Sequence, residues 1–196
     1  MKIRYFLLLA CMPIFCQQGS KFFEPPDNVI LLGADLHTHT VFSDGMVWPT
    51  IRVQEALREN IEIIAITDHL EYQPKKQDIP NPDLNRSYII AKGSVSEKDL
   101  IVLRGSEITR DMPPGHFNAI FIRDANKLLN LNDSIAGIIE ANKQGAFVFW
   151  NHPNWTSKNA GRMDGIARLD PLHKELISKN LIHGLEVANE DTFSEE

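Results

Sequence analysis

With 196 residues, 43% of them hydrophobic, the chain is long enough to bury one sizeable core as a single domain. A formal net charge of −6, with no Lys/Arg block beyond the first few residues, excludes the basic stripe of a sequence-specific nucleic-acid binder. An acidic chain of this kind takes a phosphorylated substrate only if bound cations supply the positive charge.

Residues 1–20, MKIRYFLLLACMPIFCQQGS, read as an export signal. Lys2 and Arg4 open it, an apolar run from Tyr5 to Ala10 follows, and Pro13 interrupts anything long enough to span a membrane. LLAC resembles a lipoprotein cleavage box that would make Cys11 a lipid-bearing N-terminus; cleavage near Gln17 is the alternative. Either way the protein is expected outside the cytoplasm, periplasmic or attached to the cell envelope, with membrane contact only through a lipid anchor. Cys11 and Cys16 are the only cysteines, so a metal site in the body must use nitrogen and oxygen donors. Residues 21–31, around FFEPPDN, read as a linker, and 32–196 as the domain.

VILLGADLH is a near-continuous apolar run, as expected of a strand buried on both faces. WPTIRVQEALREN predicts a helix, with Pro49 in its first turn and Val53, Ala56 and Leu57 at helical spacing. IEIIAITDH is a second buried strand, DLIVLRGSEIT a third and GHFNAIFI a fourth. DSIAGIIEANKQG predicts a helix capped by Asp133 and ended by Gly145, with Ile135, Ile138 and Ile139 on its apolar face. AFVFWNHP is the next strand, DPLHKELISKN a helix begun by Asp170 and Pro171, and HGLEVANE the last strand. This alternation predicts an α/β fold, a parallel sheet covered by helices and either open or closed into a barrel. In such folds chemistry gathers at the carboxyl ends of the strands.

The polar residues fall there. His37 and His39 follow the first strand, Asp68 and His69 close the second, Glu107 lies near the end of the third and His152 ends AFVFWNH. Residues i and i+2 of an extended chain point to the same side, so His37 and His39 can converge on one ion. Imidazole suits zinc, iron or manganese, and Glu107 can bridge two ions through its two oxygens. His116 stands at a strand's start, and an antiparallel strand would return it to the same rim. Glu186 and Asn189 end the last strand and point at the mouth, as outer supports of the ligands. His173 and His183 read as surface or structural.

DLHTHTVFSDG, AITDH, GSEIT, GHFNAIF and NHPNW, in that order from about Leu32 onward, together resemble the PHP (polymerase and histidinol phosphatase) family. The resemblance implies a distorted seven-stranded (β/α)7 TIM-like barrel holding two or three divalent metal ions, Zn, Mn or Fe, and hydrolysing phosphate esters with a metal-activated hydroxide. Carried over, His37 and His39 match the paired histidines on a first metal, and Glu107 the carboxylate bridging it to a second. His116 and His152 match the histidines of the second, and Asp44 and His69 ligands of a third. Asp68 and Asp35 match supporting carboxylates, Asp68 being placed to fix the tautomer of an adjacent ligand. The family also closes its site with an Asp-x-His motif. None follows HGLEVANEDTFSEE before Glu196, so the barrel is expected to be C-terminally incomplete, as in a fragment or truncated product.

Substrate selection is expected in loops. EYQPKKQDIPNPDLNRSY offers Lys75, Lys76 and Arg86, and the segment after His152 offers Trp155 and Arg162, for a phosphorylated small molecule or nucleotide. Two alternatives stay open. An amidohydrolase also ends its first strand in a pattern like GADLHTH, and an exported metal-binding module could keep the ligands without turnover.

Overall fold

The structure is a computed structural model and describes residues 27–153, 169–187 and 189. It divides the chain after Leu31, and the unit from Leu32 onward holds the elements described below. The export signal with Cys11, and Trp155 and Arg162, lie outside the described residues.

The strands are β1 (Ala34–Thr38), β2 (Ile63–Ile66), β3 (Ile101–Ile108), β4 (Phe117–Ile120), β5 (Phe147–Trp150) and β6 (Gly184–Leu185). The helices are α1 (Pro49–Arg58), α2 (Arg86–Gly93), α3 (Ala136–Lys143) and α4 (Pro171–Ser178). All six strands form one sheet in sequence order, with β1, β2 and β3 parallel, β4 antiparallel to both neighbours, and β5 parallel to β6. The sheet curls, since residues from its two edges, His37 on β1 and Glu186 just past β6, touch at 2.8 Å. The architecture is thus a curled α/β half-barrel; the described residues form six strands with one reversed, where the resemblance implied seven β/α units.

Alternation across the sheet explains the apolar runs. Ile64 and Ile66 pack outward with Val53 and Ala56 of α1 and Ala91 of α2, whereas Ala65 joins Ile120, Phe149, Leu36 and Leu103 inside the curl. On β3 and β4, Ile108 and Phe117 pack outward with Trp150, Ile138 and Leu176 in the largest cluster. Their neighbours in register, Glu107 and Asn118, are completely buried on the other face. Both faces are covered, so both carry apolar side chains.

Four local expectations change. The run Val29–Leu32 is exposed and precedes the strand, whose register with β2 starts at Ala34, opposite Ile63. Leu57 is 40% exposed, and α1 is anchored by Val53 and Ala56 instead. Helix α2 was not apparent because its buried positions are the small Ser87 and Ala91, while Ile89 faces solvent. HGLEVANE contributes only the two-residue β6.

Helix boundaries follow the sequence. Asp133 Oδ1 accepts the N–H groups of Ile135 and Ala136 at the start of α3, and Gly145 beyond its end takes φ +84°, which glycine adopts without strain. Asp170 caps α4 through the N–H of Leu172, with Pro171 following. His173 is completely buried: its Nδ1 accepts the Asp170 N–H, its Nε2 lies 2.6 Å from the Pro114 carbonyl, and its ring stacks on Trp150 at 4.3 Å. His183 Nδ1 accepts the Val148 N–H at the far end of β5. Both histidines are structural. Among the described residues no helix is long and apolar enough to cross a membrane.

Candidate metal centre

Five histidines and three acids collect at one rim. β1 and β2 deliver His37, His39 and His69 at or just beyond their carboxyl ends, and an isolated bridge sets His69 beside Glu107. The pairing of β1 with β2 shifts register between Asp35 and Thr38, an irregularity of the bulge type that re-aims His37. Because β4 runs backwards, His116 at its start stands with Glu107 at the end of β3 and His152 beyond β5. His152 has φ +29°, an unusual conformation for a non-glycine residue, and its N–H donates to Glu186 Oε2 at 2.8 Å.

Glu107 is the hub. Its Oε2 lies 3.1 Å from His37 Nε2, 3.1 Å from His39 Nε2 and 3.3 Å from His69 Nδ1. Its Oε1 lies 2.7 Å from His116 Nδ1 and 3.8 Å from His152 Nε2. His37 Nε2 and His39 Nε2 are themselves 3.1 Å apart, closing a triangle with Glu107 Oε2. Donors of a tetrahedral site with bonds of about 2.0–2.1 Å stand roughly 3.3 Å apart. The triangle therefore has the size of a ligand face. Glu107 Oε1 is buried, and its near neighbours among the described residues include the ring nitrogens of His116 and His152, which could share a cation with it.

Two sets of donors stand within 4.8 Å of one another, His37–Glu107–His152 and His39–Asp44–His69. Asp44 Oδ2 is 3.3 Å from His69 Nε2 and Asp44 Oδ1 is 3.6 Å from His39 Nδ1. The nitrogen and oxygen donor sets, with no thiolate, suit a borderline or hard divalent cation.

Charge is tuned accordingly. Burial would raise the Glu107 pKa, but the surrounding imidazoles His116, His152, His37 and His39 hold it well below the usual carboxylate range. Burial would lower that of His37, yet Glu107 and Glu186 together raise it to about 9. The His69 contact is the main influence that lowers Asp44 to about 2, against a smaller opposing effect of burial.

A second layer holds the donors. Glu186 Oε1 sits 2.8 Å from His37 Nδ1, a contact that would keep the proton of a neutral ring on Nδ1 and leave Nε2 for a cation, and Asn189 Nδ2 donates to the same oxygen at 3.2 Å. Asp35 accepts the His37 N–H at 3.2 Å. Asp68 acts elsewhere than beside His69: it accepts the N–H and hydroxyl of Thr40 and the hydroxyl of Ser43, securing the loop after β1. The Nδ1 of His69 is met instead by Thr109 Oγ1 at 2.6 Å. Thr109 was not singled out in the sequence, although it stands two residues beyond Glu107 and so shares its side of an extended chain. Arg52, likewise missed, donates to the His39 carbonyl at 2.8 Å.

Two of the cations proposed for substrate, Lys75 and Arg86, are engaged elsewhere. Lys75 donates to the carbonyls of Ser43, Asp44 and Gly45, and Arg86 lies over the Phe42 ring while donating to the Pro80 carbonyl. Lys76 is exposed. Backbone carbonyls in a curled loop attract a cation as readily as a phosphate does, which residue type alone does not reveal. The side chain next to the donors is Tyr72, half exposed, edge-on to His69 at 5.6 Å.

Fold and site together define the class: an α/β half-barrel with a histidine–carboxylate centre, able to hold metal, at the carboxyl ends of its strands. No protein-family model matches the chain. A solved two-domain protein from Bacteroides vulgatus, containing a predicted PHP-like metal-dependent phosphoesterase, is 46% identical with a TM-score of 0.74, over 81% of this chain and 44% of that one. A protein from Bifidobacterium adolescentis, assigned as a metal-dependent phosphoesterase, is 18% identical with a TM-score of 0.55, over 84% of this chain and 78% of that one. An amidohydrolase from Chromobacterium violaceum with bound sulfate and no metal is 14% identical with a TM-score of 0.52, over 80% of this chain and 77% of that one. These last two show the shared fold. An uncharacterized protein of Methanocaldococcus jannaschii is 39% identical over 82 residues, 41% of this chain and 34% of that one. The chain thus spans less than half the length of the Bacteroides and Methanocaldococcus proteins.

Proposed function

We propose that the chain carries the metal centre of a metal-dependent phosphoesterase. One observation supports this most: a single buried carboxylate, Glu107, turns one oxygen toward His37, His39 and His69 and the other toward His116 and His152. That is the arrangement of a bridge between two cations. The similarity to the Bacteroides phosphoesterase supports the same reading.

In this reading His37 and His39 with Glu107 Oε2 would hold one ion, and His116 and His152 with Glu107 Oε1 would hold a second. Asp44 and His69, joined by the far nitrogen of His39, offer a third position. Divalent ions bound there supply Lewis-acid charge for phosphoryl oxygens and lower the pKa of coordinated water toward neutrality. The chain's own residues set the geometry. Glu186 fixes the tautomer of His37, Thr109 orients His69, and Asp68 with Ser43 secures the loop that carries His39 and Asp44. The acidic chain accepts an anionic ester because its carboxylates face cations rather than the substrate.

The test is a panel of phosphomonoesters, phosphodiesters, lactones and amides, offered to the purified protein loaded with Zn²⁺, Mn²⁺ or Fe²⁺. Metal-dependent phosphate-ester turnover is expected, lost in Glu107→Ala. Turnover of lactones or amides alone would transfer the protein to the amidohydrolase reading. Tight metal binding with no turnover of any class would leave a metal-binding module.

A further inference from the structure

The ammonium of Lys75 is saturated. Its Nζ donates to the carbonyls of Ser43 at 3.3 Å, Asp44 at 2.8 Å and Gly45 at 2.9 Å. A lysine has three N–H donors, so three carbonyls account for all of them. Successive carbonyls of helix or strand do not point at one place. Turning three of them onto a common point crowds partial negative charge, and an internal cation is what makes that fold of the loop stable.

The loop so held is the one that carries Asp44, whose side chain is 42% exposed. Its other restraints lie on either side of that residue. Ser43 Oγ donates to Asp68 Oδ1 at 2.7 Å, and Gly45 presses on the His39–Thr40 backbone so closely that a Cβ there would fall 2.4 Å from a carbonyl carbon. At Asp44 itself the backbone is fixed by Lys75. Lys75 lies six residues beyond His69, the residue whose Nε2 meets Asp44 Oδ2 at 3.3 Å. The segment leaving His69 thus turns back to clamp the loop bearing its partner.

We infer that Lys75 is a positioning residue for the cation site made by His39, Asp44 and His69, holding the Asp44 carboxylate where it faces both histidines. The inference rests on the metal-centre reading above. It is distinct from a substrate role, since an ammonium with three carbonyl acceptors has no donor left for a phosphate. It also opposes the purely electrostatic expectation, in which removing a nearby positive charge tightens the binding of a cation.

The experiment uses the full chain, stripped of metal by chelation and titrated with Mn²⁺ while free ion is followed by electron paramagnetic resonance. Wild type, Lys75→Met, Lys75→Arg and Asp44→Asn are compared. Lys75→Met is expected to weaken, by about ten- to hundredfold, the same ion that Asp44→Asn weakens, since supporting partners of metal ligands carry that much affinity. The other ions should stay unchanged. Lys75→Arg, which keeps the charge and the donors, should recover most of the affinity. Equal or tighter Mn²⁺ binding by Lys75→Met overturns the inference, as does uniform weakening of every ion with a lowered metal-free melting temperature. If Lys75→Met does not fold, Lys75→Gln replaces it with the same expected and overturning results. Wild type binding no Mn²⁺ at all would instead remove the metal-centre reading, and this inference with it.

Discussion

Glu107 Oε1 stands 2.7 Å from His116 Nδ1 although the two residues occupy strands running in opposite directions. The reversal of β4 is what makes the contact possible. A parallel strand would have carried its first residue to the opposite end of the sheet.

Glu107 is completely buried among imidazoles, so its replacement has two separable effects. Glu107→Gln should abolish tight binding of the ions it is proposed to share, read by metal analysis after dialysis. It should also lower the stability of the metal-free protein by roughly 1–3 kcal/mol, because the buried charge on His37 loses one of its two carboxylate partners and keeps Glu186. Denaturant unfolding of stripped protein measures the second effect. Retention of two tight ions would defeat the bridging role.

Glu186 is predicted to matter through His37. Glu186→Ala removes the acceptor that orients the ring and also frees the His152 N–H. Metal affinity should fall by about ten- to hundredfold, and Glu186→Ala added to His37→Ala should cost little beyond His37→Ala alone. Isothermal titration of the single and double variants checks the coupling. Additive losses would show that Glu186 acts elsewhere.

The pKa of His37 gives a pH dependence with a definite sign. A histidine raised from 6.5 in the unfolded chain to about 9 in the fold contributes stability that is complete below about pH 6.5 and is lost as the pH rises through 9. The melting temperature of the metal-free protein should therefore fall over that window. Metal must displace the same proton, so apparent affinity should climb over the window by about tenfold per pH unit and level off near pH 9. Calorimetric melts with and without Mn²⁺, from pH 6.5 to 9.5, should diverge. Affinity independent of pH in that range would contradict the assignment.

Gly45→Ala should open the loop after β1. A Cβ there falls within 2.4–2.6 Å of the His39 carbonyl and the Thr40 nitrogen, backbone atoms that cannot swing aside as a flexible side chain would. The expected cost is about 1–3 kcal/mol in denaturant unfolding, together with weaker binding of the ion at Asp44. An unchanged unfolding midpoint would mean the loop relaxes at no cost.

Much of the rim was legible because the donors stand where apolar runs stop: His37 and His39 after ADL, His69 after ITD, His152 after FWN. The runs are apolar on both faces for a reason visible in the packing, with helices outside the sheet and Leu36, Ala65, Ile120 and Phe149 inside the curl. What was not legible depends on partners that hydropathy does not encode. Val29–Leu32 is as apolar as a strand but is exposed, and the register with β2 begins only at Ala34. Ser87 and Ala91 bury a helix face without a hydrophobic signal. Lys75 and Arg86 look like anion contacts until the carbonyls and the ring that absorb them come into view.

The meeting of His37 and Glu186 across the sheet's two edges has a consequence for breathing. β1 and β6 lie at opposite ends of the strand order, so among the described residues this seam is held by side chains and not by a backbone ladder. Amide protons along β1 and β6 should exchange with deuterium sooner than those of β3 and β4, whose ladders are bonded on both sides. An ion gripped by His37 would work as a latch on that seam, and slower exchange at the two edges would report its closing.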